Sequence, residues 1–244
     1  MKCILLCGGF AKRLWPMTLS VSKPLLEVGG KPVINYILEK LETIKGIDSV
    51  LVSTNARFER DYTSWKAKYH FDKPVHIIIE DSRREEEKLG AIGGVHYVLS
   101  TQRIQDDCMI IAGDNLIGFD VADFVECFRK KKHPVVAAFD LKDRSKARLY
   151  GILKVDGTQR VVDFVEKPQE PASTLASTGC YLFPRASLHY FGEYLSEGNH
   201  KDAPGFFLQW LHKREAVYAY IFENNWFDIG DKDSLSKART FMKR

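Results

Sequence analysis

The amino-acid sequence predicts an α/β fold with a mostly parallel sheet and helices on both of its faces. Strand-like and helical runs alternate over the first 140 residues, which is typical of parallel strands joined by helices. Strands are expected at 2–7, 50–54, 75–80, 108–112 and 134–139, and helices at 32–45, 57–69, 91–100 and 121–132. In the first of these helices the apolar residues Ile34, Ile37 and Ile44 recur at helical spacing, and Pro32 suits a first helical turn.

From residue 141 the pattern becomes that of antiparallel strands. Alternating runs at 151–155 and 160–165 flank the turn Asp156-Gly157 and predict a hairpin, and a further strand is expected at 178–183. Helices at 185–195, 204–213 and 234–243 and a strand at 217–222 complete the chain. No linker separates the halves 1–140 and 141–244, so we predict one domain over residues 1–244.

Composition excludes several classes of protein. The 244 residues are 45% hydrophobic and 28% charged, which supports a buried core and argues against disorder. The net charge of +4 is too small for a protein that coats nucleic acid. Met1-Lys2 leads into a strand rather than a signal peptide, and no apolar run reaches the roughly 20 residues of a membrane helix. We therefore expect a cytoplasmic protein without nucleic-acid or membrane partners.

The five cysteines form no CxxC pair, so a structural zinc site is not expected. Charged residues at 83–88 are expected to form a solvated surface loop. The four tryptophans, Trp226 among them, are expected to lie in the core.

A glycine pair after the first strand predicts a site for an anion. Gly8-Gly9 stands where open α/β sheets place their ligands, and glycines let backbone N–H groups approach phosphate oxygens. Arg13 and Lys23 can add charge-assisted hydrogen bonds. The stretch matches neither the GxGxxG of dinucleotide-binding proteins nor the GxxxxGK[ST] of a P-loop. An NAD-dependent oxidoreductase is therefore disfavoured.

The whole N-terminal stretch decides which anion is expected. "LLCGGFAKRLWPMTLSVSKPLLEVGGKP" resembles the signature of the sugar-1-phosphate nucleotidyltransferases, GGxGxRLxPLTxxxxKPLLPVxGKP in outline. It departs from that signature at Ala11, where the family usually has glycine, at Met17 and at Glu27. The methyl group of Ala11 is expected to narrow the space for a triphosphate.

Further motifs follow in the order of the same family. "EDSRREEEKLGAIGGV" resembles the segment that contacts the base, "IIAGDN" and "WFDIGD" resemble the two metal motifs, and "YGIL", "FVEKP" and "TGCYLF" resemble the sugar-phosphate subsite. The resemblance covers about residues 2 to 235 and includes no left-handed β-helix, so it implies a core-only member.

The resemblance implies a role for each matching residue. The implied nucleotide-binding residues are Leu6, Gly8, Gly9, Arg13, Lys23, Glu80, Leu89 and Gly90. The implied sugar-phosphate-binding residues are Asn115, Tyr150, Gly151, Glu166, Lys167, Thr178 and Gly179. Asp114 and Asp228 are the implied ligands of Mg²⁺. The implied catalytic residues are Arg13, Lys23, Asp114 and Lys167.

The implied fold is the three-layer Rossmann-like fold of the nucleotide-diphospho-sugar transferases, with a smaller antiparallel sugar-binding lobe. Residues 1–140 would bind the nucleotide, and residues 141–244 would bind the sugar phosphate and supply a closing helix. The implied reaction joins a nucleoside triphosphate and a hexose 1-phosphate and releases pyrophosphate. Glucose 1-phosphate with dTTP or UTP is the first expectation, and mannose 1-phosphate with GTP is the second.

Other functions stay open at this point. Glu80 stands where many thymidylyl-type members carry glutamine, and "LGAIGG" is closer to the form found in guanylyl and adenylyl members, so the base is undecided. A non-catalytic regulatory relative is the rival from another class, with Ala11 as its only support. The oligomeric state is also open, a homo-oligomer included.

Overall fold

The computed structural model of the chain describes residues 1–242. Lys243, the last residue of the predicted closing helix at 234–243, lies outside the described residues. The corresponding helix runs over Lys232–Phe241 and begins two residues before the predicted start. The Asp231 side chain caps its N-terminus by accepting a hydrogen bond from the Ser234 N–H.

Thirteen strands and eight α-helices make up the described chain. The strands are β1 (Lys2–Leu6), β2 (Glu27–Val28), β3 (Lys31–Pro32), β4 (Ser49–Asn55), β5 (Val75–Glu80), β6 (Cys108–Ala112), β7 (Asn115–Ile117), β8 (Val135–Asp140), β9 (Gly151–Val155), β10 (Val161–Glu166), β11 (Leu175–Phe183), β12 (Tyr218–Phe222) and β13 (Trp226–Asp228). The helices are α1 (Val33–Glu42), α2 (Glu59–Lys68), α3 (Gly90–Thr101), α4 (Val121–Lys131), α5 (Arg144–Ala147), α6 (His189–Ser196), α7 (Pro204–Leu211) and α8 (Lys232–Phe241).

Nine of the strands form one mixed sheet. Seven of them lie in the order β10-β9-β11-β6-β1-β4-β5, and β8 pairs with β11 and β12. Strands β1, β4, β5 and β6, all from the first 140 residues, pair in parallel, as predicted. Strand β11 runs antiparallel to β6, β8 and β9, so the predicted antiparallel strands extend the same sheet.

Helices cover both faces of this sheet, which confirms the predicted α/β architecture. On one face α1, α2 and α4 pack against the sheet, and on the other α3, α6 and α7 do so. Because both faces of β1 are covered, its residues Cys3, Ile4 and Leu5 are all fully buried. Helix α1 buries the residues whose helical spacing predicted it, and it begins one residue after Pro32.

Several features differ from the sequence-based predictions, among them the unpredicted strands β2 and β3 and helix α5. The short antiparallel ribbon of β7 and β13 was not predicted, because each strand has only three residues. Strand β11 begins at Leu175 rather than at residue 178. Trp15, expected in the core, is 43% exposed because it lies on the loop after the glycine pair.

None of the helices among residues 1–242 combines the length and the apolar character that a membrane span requires.

Candidate active site

The candidate site is a cleft at the carboxyl ends of β1, β5 and β6, the edge where parallel sheets place their ligands. It encloses about 220 Å³. Seven of the predicted residues line it, namely Leu6, Gly8, Gly9, Lys23, Glu80, Gly90 and Asp114. The fold therefore gathers residues from three strand ends that are far apart in the sequence.

The glycine pair that follows β1 forms one wall of the cleft. The Asn55 side-chain amide donates a hydrogen bond to the Gly8 carbonyl over 2.9 Å, which fixes the loop to the end of β4. A Cβ atom on Gly8 would lie only 3.3 Å from Glu80 Oε1. Glycine at this position thus lets the loop pass close to the Glu80 carboxylate.

Ala11 occupies the left-handed region of backbone conformation, with φ 48° and ψ 47°. Glycine adopts this region without strain, whereas for a residue with a Cβ atom the conformation is sterically unfavourable. The Ala11 carbonyl accepts hydrogen bonds from the Leu14 N–H and from Thr18 Oγ1, each over 2.9 Å. These bonds close the turn that carries Arg13.

Lys23 and Asp114 meet at one end of the cleft. The Lys23 ammonium forms an ion pair with Asp114 Oδ2, and the two side chains are 15% and 21% exposed. Lys23 begins a short 3-10 turn after Ser22, and Asp114 follows the end of β6. The pair thus joins the N-terminal loop to the end of the strand beside β1.

Asp228 lies beside Asp114 because β13 pairs with β7. In this pairing Asp228 is opposite Asn115, and the Ile229 N–H donates to the Asp114 carbonyl over 3.1 Å. Burial, together with the charge of Asp114, raises the pKa of Asp228 to about 6, and the charge of Lys23 opposes this rise. Two carboxylates and one ammonium therefore share a small, partly desolvated volume.

Arg13 approaches the same motif from the N-terminal loop. A Cβ atom on Gly230 would lie 3.3 Å from Arg13 Nη2, so the Arg13 guanidinium lies against the turn after Asp228. Arg13 itself is exposed and lies outside the enclosed part of the cleft. Its charge opposes the rise in the pKa of Asp228.

The carboxylate arrangement suits a hard divalent cation. Within residues 1–242 no group of three or more His, Cys, Asp or Glu side chains converges on one point. Asp114 and Asp228 alone would leave most coordination positions to substrate oxygens and water. Mg²⁺ is usually bound in this way, through one or two carboxylates plus substrate phosphates.

Glu80 is the last residue of β5, and its buried carboxylate lies at the end of the cleft opposite Lys23 and Asp114. It is 4% exposed, and the Ser53 hydroxyl donates to its Oε1 atom over 2.7 Å. Burial raises the pKa of Glu80, and the Ser53 hydrogen bond opposes this rise. Ser53 was not singled out from the sequence, since only the pairing of β4 with β5 brings it beside Glu80.

Leu89 and Gly90 lead into α3 at the same end. Gly90 has φ +77°, and a Cβ atom there would lie 2.6 Å from the Lys201 carbonyl oxygen. The loop before α7 therefore passes directly over this glycine. Lys88, from the predicted surface loop, forms ion pairs with Glu85 and Asp202, so part of that loop fastens two segments at the rim of the cleft.

Asn115 follows Asp114 and is almost fully buried. Its amide donates to Asp114 Oδ1 over 2.9 Å, and its carbonyl oxygen accepts from Trp226 Nε1 over 2.6 Å. The Trp226 ring also lies 5.1 Å from that of Tyr150, centroid to centroid. Trp226 therefore supports the candidate site besides contributing to the core.

Glu166 is the last residue of β10, Lys167 follows it, and the two side chains differ in environment. Glu166 packs closely against Gly205, and a Cβ atom on Gly151 would lie 2.8 Å from its Oε2 atom. Burial raises the pKa of Glu166. Lys167 is 63% exposed, with φ 46°, and its N–H donates to the Tyr150 carbonyl over 3.1 Å. The Lys167 ammonium is thus exposed on a fixed backbone, and it lies 3.7 Å from Glu166 Oε1.

Thr178 and Gly179 lie in β11, between β6 and β8. The Thr178 hydroxyl donates to the Ala137 carbonyl over 2.9 Å and is buried. Gly179 has φ +74° at an irregularity in the strand, and a Cβ atom there would lie 3.7 Å from the Asn115 amide nitrogen. Gly179 thus borders Asn115, whereas the Thr178 hydroxyl is directed to the sheet backbone.

Comparison with known proteins places this chain in a family. A family model described as nucleotidyl transferase matches residues 2–244. The mannose-1-phosphate guanylyltransferase of Mycobacterium tuberculosis is 27% identical over 99% of this chain. The UTP–glucose-1-phosphate uridylyltransferase of Synechocystis is 26% identical over 94% of the chain. The chain spans 64% and 60% of the lengths of these two relatives.

A solved structure agrees over the full chain. A Bacillus anthracis protein, provisionally described as a glucose-1-phosphate thymidylyltransferase and bound to sucrose, superposes with a TM-score of 0.87 at 25% identity. The alignment covers 100% of this chain and 95% of that one. Together with the family model, this shows that the chain belongs to the nucleotidyl transferase family.

Proposed function

We propose that this protein transfers a nucleotidyl group from a nucleoside triphosphate to a hexose 1-phosphate and releases pyrophosphate. The observation that carries the proposal is the Lys23–Asp114 ion pair in a glycine-walled cleft, with the Asp228 carboxylate close to Asp114. The similar proteins are all named as sugar-1-phosphate nucleotidyltransferases, which supports this reaction class. Their names differ in the nucleotide base and in the sugar.

The reaction is one displacement at phosphorus. A phosphate oxygen of the hexose 1-phosphate attacks the α-phosphorus, the bond from that phosphorus to the bridging oxygen breaks, and pyrophosphate leaves with the bonding electrons. No side chain has to form a covalent bond. Rate acceleration then depends on positioning two anions and on neutralising their charge.

The cationic side chains divide this task. Lys23, at the mouth of the glycine loop, would contact the α-phosphate and the bridging oxygen. Arg13, on the exposed turn beside Gly230, would bind the departing pyrophosphate. Lys167, exposed at the end of β10, would bind the phosphate of the sugar. Each contact is a charge-assisted hydrogen bond, the stronger class of hydrogen bond.

Asp114 and Asp228 would hold Mg²⁺, which in this chemistry neutralises phosphate charge as a Lewis acid. Before a substrate binds, Lys23 compensates the charge of Asp114. Once phosphates enter, the Lys23 ammonium can turn toward them. Asn115 fixes the Asp114 carboxylate through its amide, and Trp226 fixes Asn115 in turn.

The sugar subsite would lie beyond Asp114, and the residues that would line it are Asn115, Tyr150, Gly151, Glu166, Lys167 and Gly179. The close approach of Glu166 to Gly151 places an acceptor near this region, suited to sugar hydroxyl groups. Thr178 would act there through its backbone, since its hydroxyl is engaged. A cytoplasmic location and the single-domain organisation remain part of this proposal.

The test is product formation in Mg²⁺. Each of dTTP, UTP, GTP, CTP and ATP is combined with glucose, mannose, galactose and N-acetylglucosamine 1-phosphates. The products are separated by anion-exchange chromatography. We expect a nucleotide sugar and pyrophosphate in equal amounts from at least one pair. Binding of nucleotide without any product across the matrix would contradict the proposed function. Omission of Mg²⁺ should abolish the product in every productive pair.

A further inference from the structure

The nucleoside end of the cleft carries a carboxylate with unused hydrogen-bonding capacity. Glu80 lines the cleft at the end of β5. Ser53 Oγ is the one side-chain donor to this carboxylate within residues 1–242, and it binds Oε1. A carboxylate offers about four acceptor positions on its two oxygens. Oε2 and one lone pair of Oε1 therefore stay available to a ligand.

Charge decides which part of a nucleotide faces Glu80. The cations Lys23 and Arg13 and the carboxylates suited to a metal gather at the opposite end of the cleft. Lys88 lines the Glu80 end, but its charge is compensated by ion pairs with Glu85 and Asp202. A triphosphate is attracted to that end, and it would be repelled by a buried carboxylate. The base must therefore lie toward Glu80, where Leu6 supplies an apolar surface for its face.

Resting on the proposed function, we propose that Glu80 selects guanine, so that GTP is the nucleotide substrate. An ionised carboxylate only accepts hydrogen bonds. Guanine is the one common base whose pairing edge carries two adjacent donors, N1–H and the N2 amino group. It can therefore form a bidentate, charge-assisted pair with a carboxylate.

The other bases present an acceptor where Glu80 requires a donor. Uracil and thymine place N3–H between two carbonyl oxygens, and each of those oxygens would face the carboxylate. Adenine and cytosine place an amino group beside a ring nitrogen acceptor. Each of these bases thus brings a lone pair against a negative charge. This inference departs from the first sequence-based expectation, dTTP or UTP, and agrees with the second in its nucleotide, GTP.

The surroundings of Glu80 hold the carboxylate in a fixed position. A Cβ atom on Gly94 would lie 2.8 Å from Oε1, and one on Gly8 would lie 3.3 Å from it. Glu80 therefore fills a slot between α3 and the glycine loop, and the Ser53 hydrogen bond selects its orientation. A fixed acceptor discriminates between bases more strongly than a mobile one, because it cannot turn away from a mismatched edge.

The experiment measures nucleotide binding without turnover. Isothermal titration calorimetry with GTP, UTP, dTTP, CTP and ATP, in Mg²⁺ and without sugar phosphate, is applied to the wild-type protein, Glu80→Gln and Glu86→Gln. Glu86 is an exposed acid of the neighbouring loop, so Glu86→Gln makes the same charge change away from the cleft. Circular dichroism confirms that each variant is folded.

We expect GTP to bind the wild-type protein about tenfold or more tightly than the other nucleotides, the lower end of what one bidentate pair provides. Glu80→Gln should lose at least about tenfold in GTP affinity. It should also gain affinity for UTP and dTTP, because an amide both donates and accepts. Such a gain would not follow from a purely structural role. Glu86→Gln should bind as the wild-type protein does.

A wild-type preference for another nucleotide would overturn the inference whether or not Glu80→Gln folds. Unchanged GTP affinity in folded Glu80→Gln would also overturn it. Both results leave the proposed function standing, because a nucleotide still binds. If the folded wild-type protein binds none of the five nucleotides, the proposed function fails, and the selection of guanine fails with it.

Discussion

Lys23 and Asp114 form an ion pair that joins the N-terminal loop to the end of β6. Both side chains are mostly shielded from solvent, so each charge depends on the other for compensation. Asp228 adds a second carboxylate to the same volume, and the charge of Asp114 helps to raise its pKa to about 6. An arrangement that concentrates negative charge in this way is suited to a divalent cation rather than to stability alone.

Asp114→Asn should lower the rate of pyrophosphate release by at least about a hundredfold, the scale of losing one electrostatic group that stabilises a transition state. The amide is isosteric and keeps the fold, but it leaves the shielded Lys23 ammonium without its counter-charge, so the thermal midpoint should fall. Steady-state kinetics and thermal melting of the same preparation check both statements. Asp123→Asn, an exposed acid on α4, serves as the matched control and should retain full activity. A fully active Asp114→Asn would remove the assignment of Asp114 as a metal ligand.

Lys167→Met should raise the KM for hexose 1-phosphate about tenfold, the value of one hydrogen bond to a charged group. The KM for the nucleoside triphosphate should change much less, because the Lys167 ammonium belongs to the sugar side. Initial rates with each substrate varied in turn measure the two constants. Lys154→Met, an exposed lysine on β9, is the control. Equal increases in both KM values would contradict the assigned subsite.

Ala11→Gly should raise the free energy of unfolding by a few tenths to about 1 kcal/mol. Glycine relieves the cost of the left-handed conformation, although its more flexible unfolded chain offsets part of the gain. Urea denaturation at neutral pH measures the difference. Ala67→Gly, on the exposed side of α2, should instead lower stability by about 0.5 to 1 kcal/mol. A loss of stability in both variants would show that Ala11 is not strained.

Glu80→Gln should stabilise the protein at neutral pH, by an amount that shrinks as the pH falls. Burial raises the pKa of Glu80 above its ordinary value of 4.5, so the ionised carboxylate costs stability above the folded-state pKa. As the pH falls through that pKa the carboxyl group protonates and the cost disappears. Urea denaturation of wild-type and variant protein from pH 8 to about pH 4.5 follows the difference. A gain that is constant over this range would contradict the assigned burial effect.

The sequence predicted those parts of the fold that local signals determine. The strands at 75–80 and 108–112 have the predicted bounds because charged or loop-forming residues flank buried apolar runs. The ribbon of β7 and β13 was missed, since three-residue strands have no periodicity of their own and their pairing joins distant parts of the chain. For the same reason the sequence did not show that the antiparallel strands continue the central sheet.

The candidate site was predictable where a residue belongs to a local motif. The glycine pair and Asp114 each follow a recognisable strand end, Lys23 belongs to the N-terminal signature, and the structure brings them to one cleft. Ser53 and Asn55 carry no such signal, because their contacts depend on which strands pair. Trp226 belongs to the "WFDIGD" motif, but the motif does not show which group its indole contacts. Trp226 was expected in the core, and only the pairing of β13 with β7 shows that its Nε1–H donates to Asn115 Oδ1.

The central claim is a direct displacement between two substrates held in one cleft. The measurement that tests it most directly is a single turnover with excess enzyme, Mg²⁺, the productive hexose 1-phosphate and its nucleoside triphosphate labelled at the α-phosphorus. The account predicts that label passes straight into nucleotide sugar, with one pyrophosphate released per product and none formed when the hexose 1-phosphate is omitted. Label that remains on the acid-precipitated protein, or pyrophosphate released without the sugar phosphate, would contradict it.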